Sequence, residues 1–239
     1  MAKLKLAVLT GAGVSAESGL GTYRDNGGLW DNYDPMEVAS IEGWYRNRSK
    51  VLDFYNMQRR NLEKAAPNDA HRMIAELEES ADVTVITQNV DNLHERAGST
   101  KVLHLHGEVT KVRPESGVYD RDYREDEVFD VGYSEVKIGD KAANGCQLRP
   151  HIVFFGEAVP KIERAIDIVS KADIILIVGT SLQVYPAASL YRYASENARI
   201  FIIDPAEVPI SESRITHIKE KATTGMTAFR NLVQDLLVK

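Results

Sequence analysis

Residues 5–16 read KLAVLTGAGVSA, an apolar run that ends at two glycines and leads into a helical pattern. Three further runs of apolar, β-branched residues follow along the chain, at Val83–Thr87, Ile174–Gly179 and Arg199–Asp204. Short continuous apolar runs are typical of parallel strands that are buried on both faces of a sheet. The first run, Lys5–Thr10, therefore predicts the opening strand of a parallel sheet.

Helical patterns separate these predicted strands. The clearest one, Asn68–Ser80, places apolar side chains on one face and begins at a residue type that caps helices. Strands that alternate with helices indicate an α/β fold with a doubly wound, Rossmann-like parallel sheet. The other predicted helices are Lys161–Lys171, Pro186–Asn197 and Thr224–Leu237.

Two stretches, Gly21–Arg60 and Arg113–Gln147, interrupt this alternation. Long loops without structure are uncommon inside a compact domain, so we expect both insertions to form a smaller lobe of a single domain. A cleft between the lobe and the sheet is the expected ligand site. The domain is predicted at 1–239, with the Rossmann-like part at about 1–25, 66–105 and 150–239 and the small lobe at about 26–65 and 107–149.

The composition excludes several classes of protein. The formal net charge is −6, whereas a non-specific nucleic-acid binder carries an excess of basic residues. No run approaches the roughly 18 apolar residues of a membrane span, and the start of the chain lacks a signal-peptide cleavage pattern. The single cysteine, Cys146, indicates a reducing compartment. We therefore expect a cytoplasmic monomer with no nucleic-acid or membrane partner.

The loop Gly11–Ala16, GAGVSA, satisfies the GxGxxG/A pattern between a strand and a helix. Glycines there let backbone N–H groups approach a pyrophosphate, and a helix N-terminus favours its negative charge. A tight turn that uses glycine only for its conformation is the alternative. A dehydrogenase would also need an acidic residue at the end of a second strand. Asp31 and Asp34 lie near that spacing, but no strand pattern precedes them.

Polar residues follow the second predicted strand. Gln88, Asn89 and Asp91 come directly after it, and the carboxyl ends of strands are where α/β sheets hold ligands. His106 lies fifteen residues past Asp91 and is followed at once by a glycine. Because a neutral imidazole is a good general base, this stretch predicts proton abstraction from a bound sugar or ester. Capping of the next helix by Asn89 or Asp91 is an alternative that is compatible with this role.

Six motifs occur in a fixed order along the chain. They are GAGVSAESGLGTYRDNGGLW (11–30), TQNVDNLHERAG (87–98), LHG (105–107), FGE (155–157), GTS (179–181) and IDP (203–205). On these motifs the chain resembles the sirtuins, the Sir2-type NAD-dependent protein deacylases, and is most similar to the short bacterial sirtuins. The resemblance covers residues 6–237.

The resemblance implies NAD as the cofactor and acyl-lysine-containing proteins or peptides as partners. In this family the acyl-lysine carbonyl oxygen attacks C1′ of the nicotinamide ribose as nicotinamide leaves. His106 matches the histidine that accepts a proton from the ribose hydroxyls, and Asn89 and Asp91 match further catalytic positions. The products would be nicotinamide, an O-acyl-ADP-ribose and free lysine. An NAD hydrolase or mono-ADP-ribosyltransferase that uses the same NAD site is the main alternative, followed by a non-catalytic NAD-sensing module.

The resemblance also assigns contacts to the cofactor and the substrate. The strand Val153–Glu157 matches the segment that pairs with the backbone of the substrate peptide. The matching cofactor-binding positions are Gly11, Ala12, Gly13, Ser15, Glu17, Tyr23, Arg24, Trp30, Gln88, Asn89, Asp91, Gly179, Thr180, Ser181, Asp204, Pro205, Ala206 and Ala222. The matching substrate-binding positions are Ala39, Tyr55, Gln58, Val153, Phe155, Gly156 and Glu157.

The chain departs from the family pattern at the metal site. Sirtuins usually carry two CxxC pairs that bind a structural zinc ion in a tetrahedral site. This chain has only Cys146, with Arg113 near the position of the first pair, so four thiolate ligands are impossible. We expect no metal ligands, no zinc, and a lobe that is held by its own packing. The side chains expected to pack there are Val118, Tyr119, Tyr123, Phe129, Tyr133 and Val136.

A second departure concerns the acyl group. Sirtuins that remove succinyl or malonyl groups carry a tyrosine and, three residues on, an arginine that holds the acyl carboxylate. Here Tyr55 is followed at that spacing by Gln58, which offers a neutral donor in place of a charge-assisted pair. We expect removal of neutral acyl groups such as acetyl, with weak desuccinylation. Arg59 and Arg60 are expected on a solvated face of the helix.

Overall fold

The computed structural model describes residues 3–21, 33–115, 125–208 and 214–237. The strands, in chain order, are β1 (Lys5–Thr10), β2 (Asp82–Thr87), β3 (Val102–His104), β4 (Gly107–Pro114), β5 (Phe129–Asp130), β6 (Leu148–Ile152), β7 (Ile174–Val178), β8 (Arg199–Ile203) and β9 (Ile215–Ile218). The α-helices are α1 (Ala12–Ser15), α2 (Pro35–Val38), α3 (Ile41–Arg46), α4 (Arg48–Lys64), α5 (Asp69–Glu76), α6 (Leu93–Ala97), α7 (Ile162–Ser170) and α8 (Ala222–Leu237). Short 3-10 helices cover Ala16–Ser18, Leu77–Glu79, Glu125–Glu127 and Ala187–Tyr193.

A six-stranded sheet forms the larger part of the molecule and has the order β3-β2-β1-β7-β8-β9. Every neighbouring pair in it is parallel, which confirms the predicted α/β, Rossmann-like fold. The chain runs outward from β1 through β2 and β3 and then returns to the other side of β1 with β7. The strand order therefore reverses between β1 and β7. The crevice at the carboxyl ends of two such strands is where open α/β sheets bind ligands.

Apolar side chains cover both faces of this sheet. All five residues of β7, Ile174–Val178, are buried. Along β1 the side chains alternate between two apolar clusters: Leu6 and Val8 pack with residues of α5 and α8, while Ala7 and Leu9 pack with residues of α7. This alternation follows from the two-residue period of a strand. The continuous apolar run in the sequence therefore reflects burial on both sides.

A second sheet is antiparallel and has the order β5-β4-β6. With α2, α3 and α4 it surrounds a separate apolar cluster that includes Trp44, Phe54 and Phe154. A parallel bridge between Ser40 and Phe155 joins the start of α3 to the segment that follows β6. This smaller part of the molecule has its own core and contacts the end of the parallel sheet where the ligand crevice lies.

The packing expected in the smaller part is found in some positions and not in others. Val136 is buried in the third apolar cluster, and Tyr133 packs against it. Phe129 is 44% exposed, so its expected role in the core is wrong. It lies on β5, a strand of two residues whose burial pattern is exposed throughout. The remaining three positions, Val118, Tyr119 and Tyr123, lie outside the described residues.

Arg59 is the clearest difference between the sequence-based expectation and the structure. It is fully buried rather than solvated, and it donates to the Val109 carbonyl and to Asn56 Oδ1, both at 2.8 Å. The expectation was wrong because β4 and the segment around Val136 cover this side of α4. Arg60 is exposed, as expected, and pairs with Glu135 at 2.7 Å.

The stretch after β7 also differs from its prediction. The pattern at 186–197 predicts an α-helix, but the structure has a 3-10 helix at Ala187–Tyr193. Among the residues that the structure describes, none of the helices combines the length and the apolar character needed to cross a bilayer.

Candidate NAD site

Two glycine-containing turns meet at the point where the strand order reverses. The Gly11 N–H donates to the Val178 carbonyl at 3.1 Å, and the Gly13 N–H donates to the Gly179 carbonyl at 2.8 Å. A Cβ atom at Gly13 would lie 2.7 Å from Gly179 Cα, and one at Gly179 would lie 2.3 Å from the Val14 nitrogen. Gly179 also has a φ of +60°, which L side chains rarely adopt. The absence of side chains here therefore allows the two turns to touch through their backbones.

Asn89 and Ser15 connect the first turn to the loop after β2. Asn89 Nδ2 donates to the Gly11 carbonyl and to Ser15 Oγ, both at 3.1 Å. Ser15 Oγ donates in turn to Asp91 Oδ2 at 3.0 Å. The predicted cofactor and catalytic positions Gly11, Ser15, Asn89 and Asp91 are thus brought together in one buried hydrogen-bonded group.

Asp91 is a buried carboxyl group with two partners. Its Oδ2 accepts from Ser15, and its Oδ1 accepts from the Leu93 N–H at 3.0 Å, at the start of α6. The N-cap of α6 is Asn92, so the predicted capping by Asn89 or Asp91 is wrong, although Asp91 accepts from the first helical N–H. Burial raises the pKa of Asp91, and the Leu93 and Ser15 hydrogen bonds oppose that rise because they favour the charged form.

His71 also contacts this hydrogen-bonded group, and the sequence did not predict that contact. Its Nδ1 accepts from the Asn68 N–H at 3.3 Å, so its Nε2 carries the proton and faces Ser15 Oγ at 3.4 Å. The spacing of Asn68 and His71 gives a capping box at the start of α5. That local pattern could have indicated the cap, but the contact with Ser15 spans 56 residues and depends on the fold.

Gln88 joins the ends of β2 and β7. Its Nε2 donates to Thr180 Oγ1 at 3.1 Å, and its backbone N–H donates to the Thr10 carbonyl at 2.9 Å. Gln88 and Thr180 are both predicted cofactor positions, and they meet directly beside the glycine turns. Residues at the carboxyl ends of β1, β2 and β7 are therefore hydrogen-bonded to one another at the place where an open α/β sheet binds ligands.

His106 follows β3 and has a defined tautomer. Its Nδ1 lies 3.1 Å from the Gln88 carbonyl, an atom that can only accept. In the neutral ring Nδ1 therefore carries the hydrogen, and Nε2 keeps a lone pair. Burial lowers the pKa of His106, and the Gln88 carbonyl opposes that shift. The ring is consequently neutral at physiological pH and able to accept a proton at Nε2.

The position of His106 is set by the backbone on both sides. Its carbonyl accepts from the Val153 N–H at 3.0 Å. The next residue, Gly107, has a φ of +83°, and a Cβ there would lie 1.9 Å from the His151 carbonyl oxygen. Only glycine fits at this point, which gives the HG pair in the sequence a steric reason.

Further predicted cofactor positions lie around the carboxyl end of β8 and the start of α8. Asp204 Oδ1 accepts from the Ala206 N–H at 2.9 Å. Glu17 is directed to α8, where it accepts from the backbone N–H and the hydroxyl of Thr223 at 3.2 and 3.0 Å. Ala222, also predicted here, is buried at the first position of α8. Ala12 lies in α1, Ser181 in the loop after β7 and Pro205 in the loop after β8. Three other predicted cofactor positions lie outside the described residues: Tyr23, Arg24 and Trp30.

The segment after β6 carries the predicted substrate positions, but the expected strand at Val153–Glu157 is wrong: β6 ends at Ile152, and Phe155 forms an isolated bridge with Ser40. The Phe155 N–H donates to the Ala39 carbonyl at 2.8 Å, and the Phe155 carbonyl accepts from the Ile41 N–H at 3.0 Å. Ala39 and Phe155, both predicted to bind substrate, are therefore adjacent. Gly156 follows with a φ of +92°. The Phe155 side chain is 39% exposed, so an apolar ring remains accessible in the segment whose Val153 N–H is bonded to the His106 carbonyl.

A model of the Sir2 family matches residues 11–186 of the chain. The chain belongs to the Sir2 family. The NAD-dependent protein deacylase of Bacteroides thetaiotaomicron is 52% identical over 229 residues, which cover 95% of this chain and 97% of that protein. The NAD-dependent protein deacylase of Helicobacter pylori is 48% identical over 234 residues, covering 98% of this chain and 96% of that one.

Solved Sir2 structures show the same fold. The crystal structure of a Sir2 homologue in complex with NAD has a TM-score of 0.83 and 39% sequence identity, with 97% of this chain and 90% of that chain covered. The predicted family and fold class are thereby confirmed. The crevice described above lies in a chain whose relative binds NAD.

Two predicted substrate positions of this Sir2 protein have side chains that the structure turns inward. Tyr55 is buried, and its ring packs against Phe54 and Phe154 at centroid distances of 5.1 and 5.9 Å. Glu157 accepts from Arg149 at 2.7 and 3.0 Å and from the Phe154 N–H at 2.7 Å. The Glu157 carboxylate therefore points into the protein and accepts hydrogen bonds from β6 and from the turn that follows it. Gln58, one helical turn after Tyr55, is partly buried.

The part of this Sir2 chain that the structure describes contains no group of three or more histidine, cysteine, aspartate or glutamate residues arranged to hold a metal ion. Cys146 is only partly buried and free. In the region where the family's cysteines lie, Arg113 and Arg149 are buried beside Glu157, at 3.7 and 2.7 Å.

Proposed function

We propose that this NAD-dependent protein deacylase removes neutral acyl groups, above all acetyl, from lysine side chains of proteins. The proposed products are nicotinamide, O-acyl-ADP-ribose and free lysine. The observation that carries the proposal is His106, whose Nδ1 is held by the Gln88 carbonyl so that Nε2 is free to act as a base. The names of the relatives support the same reaction class.

The carboxyl ends of the strands bring together polar groups that suit the parts of NAD. The close backbone packing of Gly11 and Gly13 against Gly179 brings the start of α1 to the carboxyl end of β7, and a helix N-terminus suits the negative charge of a diphosphate. Asp204 keeps one carboxylate oxygen beyond the bond to Ala206, which suits a ribose diol. We propose that Gln88, Asn89 and Asp91 hold the nicotinamide and its ribose, and that the other predicted cofactor positions complete the site. When bound, NAD supplies the ribose carbon that takes up the acyl oxygen and releases nicotinamide.

His106 has the proton-accepting role in this proposal. A base needs a lone pair, a suitable pKa and a fixed direction. The lone pair is on Nε2 because Nδ1 donates to Gln88, and burial keeps the pKa of the ring below its ordinary value. The hydrogen bond from the Val153 N–H to the His106 carbonyl fixes the backbone. His106 can thus take a proton from a ribose hydroxyl, and the hydroxyl becomes the nucleophile of the second step.

The test of the proposal is release of nicotinamide from NAD with and without an acetyl-lysine peptide. A deacylase releases nicotinamide only with the acylated peptide and produces equal amounts of deacetylated peptide. Release without any peptide would instead indicate an NAD hydrolase, and ADP-ribose attached to protein would indicate a transferase. Either of these outcomes would contradict the proposal.

Acyl selectivity follows from the side chains of α4. Arg59 is unavailable to a substrate carboxylate because it is fully buried and bonded to Val109 and Asn56. Gln58 offers only a neutral amide at the position where a carboxylate would need a guanidinium. We therefore expect kcat/KM for an acetyl-lysine peptide to exceed that for a succinyl-lysine peptide of the same sequence by at least about tenfold, the equivalent of one charge-assisted bond.

The matched variant for this comparison is Gln58→Arg. It should raise kcat/KM for the succinyl peptide and leave the acetyl peptide within about threefold, because only the acyl carboxylate gains a partner. Equal or faster turnover of the succinyl peptide by the unaltered chain would contradict the expected selectivity.

We also propose that the small lobe folds without zinc. The support is the buried charge group in the region of the missing cysteines, where Glu157 receives two hydrogen bonds from Arg149 and lies 3.7 Å from Arg113. The Arg149 guanidinium also lies 4.2 Å from the centre of the Phe154 ring. These contacts join β4, β6 and the segment after it, so they secure the same part of the lobe without a metal.

Chelation is the direct check on this proposal. We expect the thermal midpoint and the deacetylation rate to be unchanged after treatment with a strong zinc chelator. Glu157→Gln is the positive control: it removes the carboxylate from two buried guanidinium groups and should lower stability by about 3 kcal/mol. Loss of activity in chelator that zinc restores would show that the lobe needs the metal.

The domain organisation is a proposal too. We propose one domain over residues 1–239 with the Rossmann-like part and small lobe at the boundaries predicted above, supported by the separate apolar clusters. A cytoplasmic monomer without nucleic-acid partners fits the single cysteine and the net charge of −6. Gel filtration with light scattering would test the monomer.

A further inference from the structure

His104, two residues before the proposed base, has an arrangement that a neutral histidine cannot satisfy. It is 4% exposed at the end of β3. Its Nδ1 lies 3.1 Å from the Asn89 carbonyl oxygen, and its Nε2 lies 2.8 Å from Glu95 Oε1. Both partner atoms are acceptors at neutral pH. A neutral imidazole has a single N–H, so both contacts are hydrogen bonds only when both ring nitrogens are protonated.

We propose that His104 and Glu95 form a charged imidazolium–carboxylate pair that positions Asn89 and supports the Asp91 carboxylate at the nicotinamide end of the pocket. The inference rests on the proposed NAD site, since Asn89 and Asp91 act on nicotinamide only if NAD binds there. His104 is a positioning residue, because its partners are the Asn89 backbone and Glu95 and not the reacting atoms.

The positioning effect follows from how Asn89 is held. Its N–H donates to Thr87 Oγ1 at 3.0 Å, and its side chain donates to Gly11 and Ser15. His104 holds the remaining backbone group, the carbonyl, from the side of β3. A buried carbonyl without this donor would lose a charge-assisted hydrogen bond, and the loop that carries Asn89 would be free to shift.

The charge of His104 also acts on Asp91. Burial alone would lower the pKa of His104, but the hydrogen bond and charge of Glu95, with Glu108 on β4 beside it, raise the pKa above its ordinary value. In return, the imidazolium opposes the rise that burial imposes on the pKa of Asp91, and it does so by more than the Glu95 charge adds to that rise. The carboxylate of Asp91, which the proposed nicotinamide contact needs, is thereby favoured.

Other titratable groups also lie around His104. On α6, His94 lies close enough for the imidazolium to lower its pKa further, after burial and His71. Lys111 on β4 pairs with Glu108 at 2.8 Å and helps to lower the pKa of Glu95. The negative groups nearest to His104 therefore have a larger effect on its pKa than the positive ones. His94 and His71, which are equally buried but have no carboxylate hydrogen-bonded to the ring, have lowered pKa values instead.

The first experiment reads the protonation of the ring directly. A two-bond ¹H–¹⁵N spectrum of the histidine rings, assigned with His104→Gln, should show His104 with both nitrogens protonated at pH 7.5. The Glu95→Gln variant should convert it to the neutral form with hydrogen on Nδ1, since the introduced amide can donate to Nε2. A neutral His104 in the unaltered chain at pH 7.5 would overturn the proposal.

The second experiment separates charge from hydrogen bonding. Glu95→Gln keeps both hydrogen bonds to the ring but removes the charge, so KM for NAD should rise about fivefold at pH 8. The rise should persist at pH 6, because burial keeps the pKa of the ring below its ordinary value once the Glu95 charge is gone, and KM for the acetyl peptide should not change. The control is Glu76→Gln, which removes a carboxylate from a surface pair with Arg230.

The outcomes distinguish this inference from the proposed function. If the unaltered chain deacetylates peptide and Glu95→Gln matches Glu76→Gln in KM for NAD at both pH values, the positioning role is wrong. If the unaltered chain does not consume NAD at all, the proposed function is wrong, and the ring spectrum still decides the charge of His104.

Discussion

The substitution His106→Ala is expected to lower kcat for deacetylation by about 10² to 10⁴, the usual contribution of a general base. The base in this structure is Nε2, which is left unprotonated because Nδ1 donates to the Gln88 carbonyl. Alanine removes the lone pair but leaves the glycine turns and the Asn89–Ser15–Asp91 group untouched. NAD affinity, measured by calorimetry, should therefore remain within about threefold of the original value.

A second variant at this position excludes a purely steric effect. His106→Asn keeps a polar side chain of limited size but has no basic nitrogen, so its deacetylation rate should be as low as that of the alanine variant. Turnover in either variant within a factor of ten of the unaltered chain would remove His106 from the role of base. Unchanged thermal midpoints for both variants would show that the loss is chemical.

Acidification from pH 7 to pH 4 is expected to destabilise the protein strongly. Burial lowers the pKa of His71 to about 4 and the pKa of His151 to about 3, and it lowers the pKa of His94 well below the ordinary value. In the unfolded chain these rings titrate near pH 6.5. Between pH 6.5 and 4 the unfolded state therefore binds more protons, so stability falls as the pH falls.

The size of this effect can be estimated for one ring. A shift of one pKa unit corresponds to about 1.4 kcal/mol, so His71 alone accounts for a loss of roughly 3 kcal/mol across this pH range. The raised pKa of Asp91 acts in the opposite direction, but it is one group against four histidines, since the pKa of His106 is lowered as well. His104 is protonated in both states below pH 6.5 and adds no slope there.

Urea unfolding at intervals between pH 7 and 4 measures this slope. The variant His71→Gln, which has no titratable ring, should show a smaller loss on acidification than the unaltered chain, although it starts from a lower stability at pH 7. Constant or rising stability between pH 6.5 and 4.5 would contradict the explanation.

The sequence predicted the centre of the parallel sheet better than its edges. The runs that became β1, β2, β7 and β8 are apolar throughout because both faces of these strands are covered. The edge strand β9, ITHI, is short and mixed in polarity, and no run of residues signalled it. The 3-10 helix after β7 was predicted as an α-helix because the two helices have similar periods over seven residues.

The residues of the candidate site could be predicted from the sequence where polar residues directly follow a strand pattern. Gln88, Asn89 and Asp91 could be found because they come at the end of an apolar run. The contacts that fix them come from distant parts of the chain, as with the hydrogen bond between Ser15 and Asp91 across 76 residues. Burial of Arg59 could not be read from helix spacing either, since the covering segment around Val136 is 77 positions away along the chain. Only the folded arrangement supplies such partners.

Two sets of backbone hydrogen bonds, close together on the segment after β6, determine how this segment can move. The Val153 N–H is bonded to His106, while two residues later the Phe155 backbone is bonded to Ala39 and Ile41 at the start of α3. If the helices of the smaller part swing as a body, Phe155 travels with them and Val153 stays with the base. All of that displacement must then be absorbed by the torsions of one short span, at Phe154. The spacing between the base and Val153 is therefore kept, whereas Phe155 changes its distance from the base when the helices move.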